Sequence, residues 1–171
     1  MLVASTLVAL LLPLEVWAER YLQVRGDLGV GSAIGAIGVS AAYQPIDWIE
    51  IEAGLGVGLS GFQTSLMPKL ALGGQHHRFI TGVGASVGWG HRSTFPRDYD
   101  RPVLWLNVDA VGYEYTSDAG FVFFAAMGGT RALDGSALCV QDQHSDCRPN
   151  ERIDLTKETW PQGRIGFGAW F

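Results

Sequence analysis

The sequence predicts an all-β fold, an eight-stranded antiparallel up-and-down transmembrane β-barrel. Three observations predict it. Apolar residues recur at every second position in segment after segment, which is the period of a strand, and no useful length of chain keeps the 3.6-residue period of a helix. The phase opposite the apolar one is mostly Gly, Ser and Ala, with one or two charges per strand. The links between segments differ in length, short on one side and longer on the other, as in barrels that cross a membrane with strands. Composition agrees: 47% of the 171 residues are hydrophobic, 17% are charged and 23 are glycine, against about 25% charge and about 7% Gly in a soluble domain. No apolar run reaches the ~20 residues of a membrane helix, so the apolar content is spread over many short segments.

Residues 1–18 read as a secretory signal peptide, leaving 19–171 as the barrel domain. Leu2 to Leu14 is an apolar core, Pro13 and Glu15 end it, and Val16 and Ala18 occupy the two small-residue positions before a cleavage point. The first strand alternates Leu22, Val24, Gly26, Leu28 and Val30 with Gln23, Arg25 and Asp27. A Gly-Ser link leads to the second, with Ile37, Val39, Ala41 and Tyr43 on one phase. Gln44-Pro45-Ile46-Asp47 is a tight turn, with Pro at a favoured turn position. The third strand sets Ile49, Ile51, Ala53, Leu55 and Val57 against Glu50, Glu52, Gly54 and Gly56. After a loop over Leu59–Thr64 the fourth, Ser65 to Gly73, carries Leu66, Pro68, Leu70 and Leu72 opposite Met67 and Lys69. Pro68 removes a ladder bond unless it sits at a bulge.

Gly74 to His77 turns the chain into the fifth strand, with Phe79, Thr81, Val83, Ala85, Val87 and Trp89 on one phase and glycines and Ser86 on the other. A polar loop over His91–Pro102 precedes the sixth, where Leu104, Leu106, Val108 and Ala110 oppose Trp105, Asn107 and Asp109. Thr116 to Gly120 is a turn. The seventh strand, Phe121 to Arg131, is apolar on both faces and its phase is unassigned. A long polar segment, Asp134–Gln162, leads to the eighth strand, Gly163 to Phe171.

The chemistry of the two phases decides which faces outward. A phase of Gly, Ser and Ala would coat a soluble barrel poorly, but it suits a narrow interior, where eight strands leave just enough room for side chains. The apolar phase carries no charge in the first five strands or the last, as hydrocarbon demands, since Arg or Lys at the bilayer midplane costs roughly 2–4 kcal/mol. From Phe79 to Trp89 the fifth strand spans about 23 Å of membrane normal at ~3.3 Å per residue and ~45° tilt, close to an apolar band of about 25 Å. Tyr43 and Phe171 join the aromatic girdle on the short-turn side.

On the inward phase Arg25, Asp27, Glu50, Glu52, Lys69, Asp109 and Arg164 are expected to neutralise one another as a lumen ion-pair network. Paired carboxylates such as Glu50 and Glu52 can do acid–base work, but the near balance of sign favours structure over catalysis and over an ion-selective pore. A hairpin about Gly61 brings Glu52 to Lys69. Export permits a disulfide between Cys139 and Cys147, a reading favoured over two free thiols or a metal half-site. His76-His77 and His144-Ser145-Asp146 read as solvated turn and loop residues, so no metal and no cofactor is assigned. The net charge of −5, without a basic cluster, gives nucleic acid no footing as a partner.

The final strand carries a resemblance. Ile165 and Phe167 alternating toward a terminal Phe171 resemble the carboxy-terminal signal by which the barrel-assembly machinery reads bacterial outer-membrane proteins; Ala169 is smaller than the residues common at its position. The layout of 19–171 resembles small eight-stranded outer-membrane barrels of the OmpA/OmpX type, as a pattern of strands and not a string of shared motifs. The resemblance implies a monomer in the outer membrane of a Gram-negative bacterium, contacts with its lipid, and a structural or surface-interaction role. Loops over Leu59–Thr64, His91–Pro102 and Asp134–Gln162 would carry any extracellular recognition. Two alternatives stand beside this. His91 and Ser93 are similar to the His-x-Ser pair of outer-membrane lipid A deacylases, with Asp98 and Asp100 nearby. However, Thr94 stands where that family has Asn, and the family's pair lies nearer the C-terminus. A small-solute channel is the other.

Overall fold

A computed structural model describes residues 22–58, 61–89, 102–133, 137–139, 152–154 and 158–171. The predicted signal peptide therefore lies outside the described residues, as do His91, Ser93, His144 and Cys147. Eight long strands close into one barrel: β1 (Leu22–Val30), β2 (Ile37–Ile46), β3 (Ile49–Gly58), β4 (Gly61–Gly73), β5 (His77–Trp89), β6 (Val103–Thr116), β7 (Phe121–Ala132) and β10 (Trp160–Trp170). Neighbours in the chain are neighbours in the sheet, every pair is antiparallel, and β1 pairing with β10 closes the ring. Two short strands, β8 (Ala137–Cys139) and β9 (Arg152–Asp154), pair with each other in a separate sheet between β7 and β10.

Alternation places the side chains as their chemistry requires. Along β1, Gln23, Arg25 and Asp27 are buried while Leu22, Val24 and Leu28 are exposed; along β3, Glu50 and Glu52 are buried while Ile51, Leu55 and Val57 are exposed. The barrel is thus polar within and apolar without. β7, whose phase the sequence leaves open, turns Val122, Phe124 and Ala126 inward and Phe121 and Met127 outward. Ile165, Phe167 and Phe171 face outward on and just after β10.

Several expected boundaries move. The supposed loop at 59–64 is mostly strand: β4 starts at Gly61, whose φ of 83° makes the tight return, and Phe62 pairs with both Val57 and Trp89. Only residues 59 and 60 join β3 to β4. Likewise β5 begins at His77 rather than after it, and β10 at Trp160, inside the expected long loop. Pro68 sits in β4 without a bulge: it pairs with Ile51, and the β4–β5 register is the same on either side of it, with pairing absent only at Met67 and Pro68.

One bulge was not expected. Between Asp109 and Val111 the register of β6 slips by one residue against both β5 and β7, so that Ala110 and Val111 both face outward. An extra residue in one strand of an antiparallel pair reverses the phase beyond it. Beyond this bulge Gly112 and Glu114 point in, and Tyr113 and Tyr115 point out.

Candidate functional site

The described interior is packed with polar and charged side chains between a link at one end and a vestibule at the other. At mid-height all seven residues of the expected network come together, and the bulge in β6 adds Glu114 while the start of β5 adds Arg78. Five carboxylates and four cations form one cluster. Glu52 is its hub: it pairs with Arg25, accepts from Lys69 Nζ at 2.5 Å, and accepts from Arg164 at 2.6 Å through its other oxygen. The Glu52–Lys69 contact is made, though in the β3–β4 register Lys69 stands directly opposite Glu50 and reaches Glu52 diagonally. Arg164 also donates to Asp109 at 2.7 Å, and Gln162 to the other Asp109 oxygen at 2.8 Å. Asp27 is held by the Ser40 hydroxyl at 2.6 Å.

Arg25 is the second hub. Its guanidinium donates to Glu52, Gln23 and Glu114, the last at 3.3 Å, and lies 3.8 Å from Glu50. Glu114 in turn accepts from Gln23 at 2.9 Å and from Arg78 Nε at 3.0 Å. Beneath these groups lies the ring of Phe124. Arg25, Lys69 and Arg164 stand over it at 4.3, 4.6 and 4.7 Å from its centroid. A ring face is the negative end of the aromatic quadrupole, so one phenyl side chain serves three cations that repel one another. Glu50 differs from the rest: among the described residues neither of its oxygens finds a hydrogen-bond partner, and it is held by Lys69 at 3.6 Å and by Arg25 and Arg78 at 3.8 Å.

The β1–β2 link closes one end of the lumen. Ser32, Ala33 and Ile34 are buried, the Ser32 hydroxyl donates to the Gly35 carbonyl at 2.6 Å, and Ala36 N donates to the Val57 carbonyl at 2.8 Å. Gly35, at φ 92°, lets the link fold inward. The glycines opposite explain the fit. A β-carbon at Gly56 would lie 2.1 Å from the Ile34 carbonyl oxygen, and one at Gly38 2.2 Å from the Ile34 side chain. The glycine-rich inward phase is therefore room for a plug.

At the other end the three short turns ring a vestibule of about 540 Å³. Its floor is Arg78, which donates to Gln44 at 2.6 Å and stacks on the Trp170 ring at 5.3 Å, while the Trp170 indole donates to Thr116 at 3.3 Å. On its rim His76 Nδ1 donates to the Thr116 carbonyl at 2.9 Å and Nε2 faces Asp118 at 3.5 Å. His77 does not join it, because it lies on the outer face, bonded to the Tyr113 hydroxyl at 2.6 Å. Among the described residues no group of three or more His, Cys, Asp or Glu side chains could hold a metal ion.

No family model, no curated protein and no solved structure matches this chain. Its reading therefore rests on its own residues. Of the sequence-derived candidates, the lumen residues converge. Cys139 lies in β8 and its expected partner Cys147 outside the described residues, so the pairing is outside the described residues too, as is the His91–Ser93 pair. Sequence reasoning missed Glu114 because strict alternation through β6 sends it outward. The signal that could have found it is the change of apolar phase after Ala110, where Val111, Tyr113 and Tyr115 replace Leu104, Leu106 and Val108. Arg78 was missed because the fifth strand was begun at Phe79, two residues after its start at His77.

Proposed function

We propose that this chain is an integral outer-membrane β-barrel with a structural or surface-interaction role in the cell envelope. What carries the proposal is the inversion of the usual soluble pattern. The ions of the cluster are buried, and the outer wall exposes Val24, Leu28, Val39, Leu55, Leu66, Leu72 and Val83, while the exposed Arg131 stands at the long-connection end of β7. An apolar surface this continuous marks a contact with membrane or protein, and it encircles the barrel, as hydrocarbon would require and one docked partner would not. Aromatic residues at the short-turn boundary (Tyr43, Trp48, Phe79, Tyr115 and Phe171) fit an interfacial girdle.

A lumen filled by the ion-pair cluster and capped by Ile34 favours a scaffold over a solute channel. In this reading the long connections, residues 90–102 and 133–159, face outside and carry recognition of an extracellular ligand. Phe171, Phe167 and Ile165 form the outward edge read by the assembly machinery. The test is fractionation with heat-dependent gel mobility. The expected result is a protein in the outer-membrane fraction whose unheated band migrates apart from the heated one, with a lower yield when Phe171 is removed. Recovery in the soluble periplasm, with no shift on heating, would sink the reading.

A further inference from the structure

The outer wall is not uniformly convex. Three rows of outward residues cross β6, β7, β10 and β1 near the short-turn end, the first two of them starting on β5. The row nearest the turns is His77, Tyr115, Phe123, Phe167 and Gly26. The next is Phe79, Tyr113, Ala125, Ile165 and Leu28. The third holds Val111, Met127, Gly163 and Val30. Large side chains run along both flanks, but the middle has only Ala125 and Gly163. The bulge in β6 turns Val111 outward beside them. The result is a trough of about 780 Å³ with Ala125 and Gly163 as its floor.

We propose that this trough seats one acyl chain of a glycerophospholipid, with the headgroup held at the His77–Tyr113–Tyr115 cluster. The proposal rests on the membrane reading above and deepens it by naming a partner. Two features choose the occupant. First, the side chains lining the trough are apolar except Tyr113 at one end, since Arg164 also lines it but keeps its side chain buried in the lumen. His77 Nδ1 and the Tyr113 hydroxyl bond at 2.6 Å, and the His77 ring lies 5.3 Å from that of Tyr115. Aromatic side chains with polar tips belong at headgroup level. The trough begins two residues inward of His77 and ends by about residue 82, which at ~3.3 Å per residue and ~45° tilt is roughly 5–12 Å deep, within one leaflet. One polar end and one apolar length within a single leaflet is the shape of a lipid. Second, a copy of this chain is a poor occupant, because a two-fold contact apposes the same patch on both subunits, and a concavity cannot fill itself.

The experiment is native mass spectrometry of the full chain purified in mild detergent from membranes, counting retained phospholipid, with three proteins side by side. The unsubstituted chain should retain one phospholipid per barrel. Ala125→Leu fills the floor of the trough and should lower retention about tenfold or more, as overpacking a fitted site costs. Ala53→Leu makes the same change on the opposite wall and should leave retention unchanged. Both variants must show the heat-shifted band, so loss of folding is separated from loss of lipid. A folded membrane barrel that retains no lipid, or retains it equally with Ala125→Leu, overturns the trough proposal while leaving the membrane reading intact. A soluble protein overturns both.

Discussion

Replacing Arg25 with Met tests whether the buried cluster holds the barrel together. Arg25 is fully buried, and removing it leaves five carboxylates facing three cations. The damage is not evenly shared. Asp27 keeps Ser40, Asp109 keeps Arg164 and Gln162, and Glu114 keeps Arg78 and Gln23. Glu52 keeps Lys69 and Arg164. Glu50 has no hydrogen-bond partner among the described residues and loses one of its three nearby cations. Removing one partner from a buried charge cluster costs about 3–5 kcal/mol. With a urea m-value of about 2 kcal/mol/M, the unfolding midpoint should fall by roughly 2 M. The assay is urea titration of the heat-shifted band of the refolded protein in phospholipid vesicles. The decisive comparison is the double variant Arg25→Met with Glu52→Gln, which restores the original one-charge imbalance. Its loss should be smaller than the sum of the two single losses by about 0.5–3 kcal/mol. A single variant within about 0.5 kcal/mol of the parent, or a double variant whose loss equals the sum, would refute the claim that these charges stabilise one another.

Two further outcomes follow from the same geometry. Val83→Lys puts an ammonium on the outer wall in the middle of β5, where Val83 is exposed. In a bilayer it should destabilise the fold by roughly 2–4 kcal/mol in the same titration, whereas a barrel surrounded by water would be unaffected or more soluble. Gly56→Val drives a side chain into the space held by the Ile34 carbonyl and should expel the plug. A cysteine at Ile34, protected from a water-soluble maleimide in the parent, should then label rapidly; continued protection would mean that the link does not depend on the glycine gap.

How much of this was legible in the sequence depends on which physical rule governed each residue. Residues following the two-residue period were readable, because facing is fixed by parity once one phase is known to be charge-poor. That is why Arg25, Glu50, Glu52, Lys69, Asp109 and Arg164 were found from widely separated segments. Parity fails at two kinds of place. It is silent where both phases are apolar, as in β7. The inward phase there is Val122, Phe124 and Ala126, and the reason becomes visible only in three dimensions: Phe124 underlies three cations contributed by β1, β4 and β10. Parity is misleading where a bulge inserts one residue, and there the error carries forward to everything beyond it. Glu114 sits four residues past Ala110, and an outward Glu114 would have put a carboxylate on the apolar wall.

The bulge and the network are thus one design. An uninterrupted β6 could bury Asp109 or Glu114, but not both, since they differ in parity. Arg164 needs Asp109, and Arg78 and Arg25 need Glu114. The extra residue at Ala110 lets one strand serve both groups of cations, at the expense of a local break in the ladder. The same break turns Ala110 and Val111 outward together and so shapes the wall of the trough beside Ala125. A single irregularity in β6 thereby links the charge balance of the lumen to the relief of the outer surface. Removing Ala110 would restore strict alternation through β6 without moving Glu114 from the lumen, and it would remove that relief.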